Sequence, residues 1–285
     1  MSARADAPRA ALRWVAGIRL DEVLVLQGAP FLGAAFALAT GAAMPARVLA
    51  CFVAASCLLV AHVFALNDWS EMAEAPRAFP LDRGETRTLW LVLLASSLAL
   101  FALLGVRPFL LASSIALLSA IYSATPRLGK GSPVLCSVLH LVGGALHFLL
   151  GYSLRGALDS RSLLLAGFVG LTFTAGHLTQ EVRDRDDDLR NGIRTNAVAF
   201  GKVPAFVAGL ILFTTADALL CALALQGLAP RRAAAATIVL YPLHLAWSLR
   251  TLASGLSSRD LRRLQWKYRA RYAAIGIITG ATLLL

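Results

Sequence analysis

The feature that most limits this chain is the recurrence of apolar runs long enough to cross a bilayer. A helix needs about 20 mostly apolar residues to span a hydrocarbon core of about 30 Å, and only helices or closed barrels satisfy their backbone groups there. Nine runs of this kind lie at Val23–Ala43, Ala46–Leu66, Leu89–Val106, Pro108–Ala124, Pro133–Leu154, Ser162–Thr179, Val203–Leu228, Ala233–Leu249 and Ala270–Leu285. They predict an all-α integral membrane protein with nine transmembrane helices. Composition agrees: 58% hydrophobic residues, 15% charged and a mean hydropathy of +0.69 fit neither a soluble globular domain nor a disordered chain. Cys51, Cys57, Cys136 and Cys221 all fall in apolar runs without metal-ligand spacing, so they read as small hydrophobes and not as a disulfide framework.

In a soluble chain a net charge of +11 would point to nucleic acid, but here placement decides its meaning. With a cytoplasmic N-terminus, 21 of the 27 Lys and Arg fall in inside segments, which sets the orientation as N-in and C-out. Residues 1–22 carry four arginines and no sustained apolar core, so they read as a retained cytoplasmic segment with Trp14 as an interfacial anchor. Ser257–Tyr272 places Leu261, Leu264 and Tyr268 on one face and basic residues opposite. It reads as an amphipathic helix on the anionic cytoplasmic surface. The charge is thereby accounted for by the bilayer, with no nucleic-acid partner. Ala, Arg and Leu usage suggests a high-GC bacterium and its inner membrane.

The acidic residues are concentrated. Asp68, Glu71, Glu74, Asp82 and Glu85 share one inside loop, and Glu181, Asp184, Asp186, Asp187 and Asp188 share another, together 10 of 16. One group follows the second span and the other the sixth. The chain therefore reads as a single domain, 1–285, of two pseudo-equivalent four-helix halves around a central cavity, plus a ninth helix. A continuing helix puts Asp68 and Glu71 one turn apart, and Asp184 and Asp188 at i, i+4 on one face. Carboxylates held that close repel one another unless a cation joins them. Beside Arg and Lys, such oxygen donors suit Mg²⁺ shared with substrate phosphate.

These residues resemble the UbiA superfamily of intramembrane prenyltransferases, 4-hydroxybenzoate polyprenyltransferases among them, whose signatures are NDxxDxxxD after helix two and DxxxD after helix six. The resemblance covers essentially the whole chain. Its most specific stretch is Glu181–Gly201, which fits D-x-x-x-D-x-x-x-G-x-x-T through Asp184, Asp188, Gly192 and Thr195. Tyr122–Pro133 is similar to the family's tyrosine, proline and lysine loop, with Lys130 and Arg127 as the basic residues. The first motif departs from the pattern: Asn67 and Asp68 match, Glu71 replaces the middle aspartate, and Ala75 stands at the last carboxylate, with Glu74 one residue early. Arg77–Gly84 looks like a shortened R-P-L-x-x-G loop.

The resemblance implies Mg²⁺-dependent transfer of a prenyl group from an allylic diphosphate to a lipophilic, aromatic acceptor, with release of pyrophosphate. It implies Asn67, Asp68, Glu71, Asp184 and Asp188 as catalytic metal ligands, and Lys130, Arg127 and Arg77 as diphosphate contacts. Tyr122 or Phe64 would shelter the allylic cation, and His62 and His177, one to two turns into the membrane from the acidic motifs, would recognise the acceptor or take its proton. His140 could reach the same layer, whereas His147 and His244 read as structural. Asp217, deep in the seventh span, is expected to be protonated or paired with His147 and has no assigned catalytic role. A terpene cyclase using the same ionisation is the alternative, and a cation transporter a more distant one. The D-G-x-x-A-R signature of CDP-alcohol phosphotransferases is missing.

Overall fold

The computed structural model describes residues 13–39, 44–72, 80–124, 129–155 and 157–285, and among them every regular element is a helix. After a helical stretch over residues 13–18 the helices are α1 Leu20–Leu26, α2 Gly28–Leu38, α3 Ala46–Glu71, α4 Arg83–Leu104, α5 Val106–Ala124, α6 Leu135–Tyr152, α7 Ser160–Arg190, the short α8 Asn196–Phe200, α9 Lys202–Leu225, α10 Arg231–Ala253 and α11 Ser258–Leu284. Six of them, α3 to α7 and α9, are long and apolar enough to cross a membrane, and a seventh span arises if the broken pair ending in α1 and α2 is counted as one.

Nine apolar runs thus become six or seven qualifying helices, for local reasons. The first run is interrupted between α1 and α2, after Arg19 has already taken a left-handed backbone conformation (φ 55°). In α10 the uncharged stretch between Arg232 and Arg250 is short. The ninth run is only the apolar end of α11. The basic segment 257–272 is not a separate surface helix: it is the first half of α11, and Leu261, Leu264 and Tyr268 are buried with Phe206, Phe213 and Val182. Its apolar face is covered by protein, not lipid.

The helices form two compact units. The first contains residues 1–28 and 44–125, with α3 packed on α1, α4 and α5. The second contains residues 29–43 and 126–285, where α7 packs on α6, α9 and α11, and α10 packs on α9 and α11. The division falls near residue 125, and α2 belongs with the second unit. Gly33 of α2 and Gly151 of α6 explain this: a Cβ on Gly33 would collide with the Phe148 carbonyl, and one on Gly151 with the Pro30 carbonyl. Small residues let the two backbones touch, as in other membrane helix pairs, and Phe36 packs edge-on against Phe148 at 5.9 Å.

Caps fix the helix starts. Asp82 accepts from the Glu85 N–H at 2.8 Å while the Glu85 side chain accepts from the Asp82 N–H at 2.9 Å, a capping box that starts α4. Arg13 bonds both Glu85 and the Pro80 carbonyl. Two acids of the first loop are therefore structural. Asp159 and Ser162 form the equivalent box for α7, and the N–H of Ser162 holds the Asp159 carboxyl below the usual carboxylate range.

Asp217 is not paired with His147, which donates to its own helix at the Gly143 carbonyl, 3.0 Å away. Its partner is Arg271 of α11, at 2.7 Å, with the Tyr272 hydroxyl donating to the other oxygen at 3.1 Å. His244 is fully buried against Phe213 and has no hydrogen-bond partner among the described residues.

Candidate active site

In the second unit the site is built from the end of α7. At about 1.5 Å per residue its 31 residues extend ~46 Å, longer than a hydrocarbon core of ~30 Å requires, and its last turns carry the charged residues. His177, Glu181, Asp184 and Asp188 follow one another at intervals of four, three and four residues, which makes a stripe down one face. Asp188 is buried, Asp184 half-exposed, and Asp186 and Asp187 point to solvent. The solvent-facing pair is neutralised locally, Asp186 by Lys202 at 2.9 Å and Arg185 at 3.2 Å, and Asp187 by Arg190.

The spacing from Asp188 to Gly192 has a backbone cause. Helix α7 ends in a Schellman motif, with the Ile193 N–H on the Asp188 carbonyl at 2.9 Å and the Gly192 N–H on the Leu189 carbonyl at 3.3 Å. Gly192 supplies the left-handed residue this closure needs (φ 69°). The chain then turns into α8 at Thr195, and Asn196 becomes a junction. Its side-chain nitrogen donates to Glu181 at 2.9 Å and to the Ser137 hydroxyl at 3.1 Å, its backbone N–H donates to Glu181 at 3.1 Å, and its side-chain Oδ1 accepts from the Val134 N–H at 2.8 Å. The start of α6 is thereby tied to the α7 stripe. The same tie positions the 129–132 loop, whose Lys130 ammonium lies 3.9 Å from the Asp188 carboxylate. Asp184 is held by both nitrogens of the Arg183 fork at 2.7 and 2.6 Å, and Arg183 also donates to Gln265 of α11 at 2.5 Å.

In the first unit the end of α3 carries the other motif. Asn67 donates to Glu71 at 3.0 Å across one helical turn. Asp68 is buried and meets the Arg19 guanidinium at 3.2 Å, which lies 4.8 Å above the Phe64 ring. A small recess beside Asp68 is lined by Gly17, Met72, Pro80, Leu81 and Thr86. His62 donates from Nδ1 to the Trp90 carbonyl at 3.0 Å, and its Nε2 is buried without a partner among the described residues. Tyr122 lies in the last turns of α5. Arg77, Glu74, Ala75 and Arg127 fall outside the described residues.

Of the sequence-derived residues, the structure brings Asn67, Asp68 and Glu71 together on one helix end, and Lys130, Asp184 and Asp188 at another, with His177 one to two turns below Asp184. Sequence reasoning missed Arg19 beside Asp68, and missed Glu181, Asn196 and Cys136 around His177. Cys136 Sγ lies 3.1 Å from His177 Nε2, which is 2.9 Å from Glu181 Oε1. The i, i+4 spacing of His177 and Glu181 was the one visible signal for this contact.

The donor sets fit a hard divalent cation: carboxylate and amide oxygens at i, i+4 on helix ends, with a lysine at hand for the anion such a cation carries. The described residues, all-helical in their regular elements and with several helices long and apolar enough to cross a membrane, are those of a polytopic membrane protein. The model of the UbiA prenyltransferase family matches residues 28–268, and the chain belongs to that family. No curated protein matches the sequence closely enough to be counted a relative. Among solved structures, a UbiA homologue from Archaeoglobus fulgidus bound to GPP and Mg²⁺ is 17% identical with a TM-score of 0.67, over 92% of this chain and 99% of that one. The same homologue bound to DMAPP and Mg²⁺ gives 18% and 0.65, over 91% and 98%. A digeranylgeranylglyceryl phosphate synthase is 12% identical with a TM-score of 0.73, over 96% and 99%. At these identities the likeness establishes a shared fold.

Proposed function

We propose that this protein transfers a prenyl group from an allylic diphosphate to a lipophilic, aromatic acceptor in a Mg²⁺-dependent reaction within the membrane. The observation that carries the reading is the Lys130 ammonium 3.9 Å from Asp188, on the helix face that also holds Asp184. The family membership and the Mg²⁺ complexes of the archaeal homologue with GPP and DMAPP support it.

Asp184 and Asp188 in one unit, and Asn67, Asp68 and Glu71 in the other, are the residues assigned to hold Mg²⁺. When bound, the ion neutralises diphosphate charge as a Lewis acid. Lys130, Arg127 and Arg77 are assigned to the diphosphate oxygens, where positive charge grows in value as the C–O bond breaks and pyrophosphate leaves with the electron pair. Arg183 and Lys202 keep Asp184 and Asp186 oriented before substrate arrives. Tyr122 offers a π-face to the allylic cation. The acceptor carbon then forms the new C–C bond and loses a proton, for which His62 and His177 are the groups assigned. Apolar helix surroundings exclude the water that would otherwise quench the cation.

Nine spans, a cytoplasmic N-terminus and active-site loops, an outer C-terminus and a bacterial inner membrane complete the reading, supported by the distribution of Lys and Arg. The altered first motif, with Glu71 and Ala75, is the observation that favours a second reading, cyclisation of the prenyl chain. Extraction of products with and without aromatic acceptors separates the two: a transferase needs the acceptor to consume diphosphate efficiently, whereas a cyclase yields terpene hydrocarbon or alcohol without it.

A further inference from the structure

Cys136 and His140 stand one turn apart on α6, and His177 and Glu181 stand one turn apart on α7. The two i, i+4 pairs meet. Cys136 Sγ is 3.1 Å from His177 Nε2, His177 Nε2 is 2.9 Å from Glu181 Oε1, and the Cys and His donor atoms all lie within 4.8 Å of one another. Ligand bonds of about 2.0–2.3 Å set tetrahedral edges of about 3.3–3.8 Å, which these separations bracket. We propose that Cys136, His140, His177 and Glu181 form a binding site for a Zn²⁺-class cation, distinct from the Mg²⁺ ligands.

Donor chemistry sets the class. A thiolate with imidazoles and one carboxylate suits Zn²⁺, whereas Mg²⁺ and Ca²⁺ take oxygen ligands. Charge agrees as well: thiolate plus carboxylate balances a divalent ion, so the filled site is neutral where Cys136 is fully buried and Glu181 nearly so. Supporting contacts already exist. His140 Nδ1 donates to the Cys136 carbonyl at 2.9 Å, which leaves the lone pair of the neutral ring on Nε2, the usual arrangement behind a metal-bound imidazole. Glu181 is oriented by the backbone and side chain of Asn196.

In the present structure the two imidazoles stack, with centroids 3.5 Å apart and planes inclined by 10°, so binding turns one ring until both lone pairs converge. The Cys136 thiol proton leaves to the buffer, and the His177 ring proton moves from Nε2 to Nδ1. Occupancy would then remove His177 as a proton acceptor. That consequence rests on the transferase reading, whereas the binding site does not.

The test uses full-length protein in nanodiscs, stripped of metal by chelation and titrated with Co²⁺ as an optical reporter and with Zn²⁺ in competition. The expected result is one cobalt per chain with a thiolate-to-metal charge-transfer band, displaced by Zn²⁺. Cys136→Ser should remove the band, and Glu181→Gln should weaken Zn²⁺ binding at least tenfold. The Asp184→Ala/Asp188→Ala protein should keep the band, which separates this site from the Mg²⁺ ligands. A missing band in folded wild-type protein overturns the proposal. So does Zn²⁺ affinity equal in wild type and Cys136→Ser, or a band lost in the aspartate variant.

Discussion

The buried pair of Asp217 and Arg271 offers a quantitative test of the second unit. Their side chains are 6% and 3% exposed, and Arg271 also reaches the Thr237 carbonyl at 3.4 Å, so the pair links α9, α10 and α11. Asp217→Asn keeps the side-chain volume and one acceptor oxygen but leaves the guanidinium without a counter-charge, and two of its nitrogens already have no partner among the described residues. Breaking a buried ion pair from one side costs about 3–5 kcal/mol. The retained oxygen puts this variant near the lower figure, about 3 kcal/mol, which at roughly 2–4 °C per kcal/mol lowers the melting temperature by on the order of 10 °C. Asp217→Asn/Arg271→Met removes both charges and should recover most of the loss. Thermal unfolding in detergent, followed by fluorescence-detected size exclusion, reads both variants. A single variant within about 2 °C of wild type, or a double variant less stable than the single, would refute the account of a charge held by one partner. Pyrophosphate release per folded molecule should be unchanged in both.

Lys130→Met should reduce pyrophosphate release about 100-fold in steady-state assays with an allylic diphosphate, while Lys130→Arg keeps most of it, because the interaction at stake is with charge developing on the leaving group. Gly151→Ala puts a methyl against the Pro30 carbonyl and should destabilise by about 1–3 kcal/mol or more, visible as a lowered melting temperature; an unchanged value would show that α2 does not lie against α6. Asp82→Ala removes the capping box of α4 and should cost about 1 kcal/mol in the same thermal assay, with no change in metal dependence.

Much of the fold is legible in the sequence because lipid solvation enforces long apolar runs, and each of the six qualifying helices coincides with a run. Of the other three runs, one is a broken helix pair and two belong to helices with charged ends. The contact of α2 with α6 rests on the close approach at Gly33 and Gly151, more than a hundred residues apart, which no local pattern announces. Likewise Leu261, Leu264 and Tyr268 make the same amphipathic pattern whether they meet lipid or, as here, α7 and α9. The site divides in the same way. Asp184, Asp188 and Gly192 are legible because a helix face and a Schellman ending fix their spacing. Asp82 and Glu85 look identical to ligands in composition yet serve as a cap. Glu181 meets Asn196 through the turn from α7 into α8, and Cys136 joins His177 only through the packing of α6 on α7, so their association had no sequence signal beyond one i, i+4 pair.

The most direct test of the central claim is Mg²⁺-dependent pyrophosphate release from allylic diphosphates of several lengths, with wild-type protein in nanodiscs beside Asp184→Ala/Asp188→Ala. The account predicts release in the wild type that stops when Mg²⁺ is chelated, and a loss of at least 100-fold in the aspartate variant. Folded wild-type protein that neither binds nor turns over any allylic diphosphate, or release that persists without these aspartates, would contradict it.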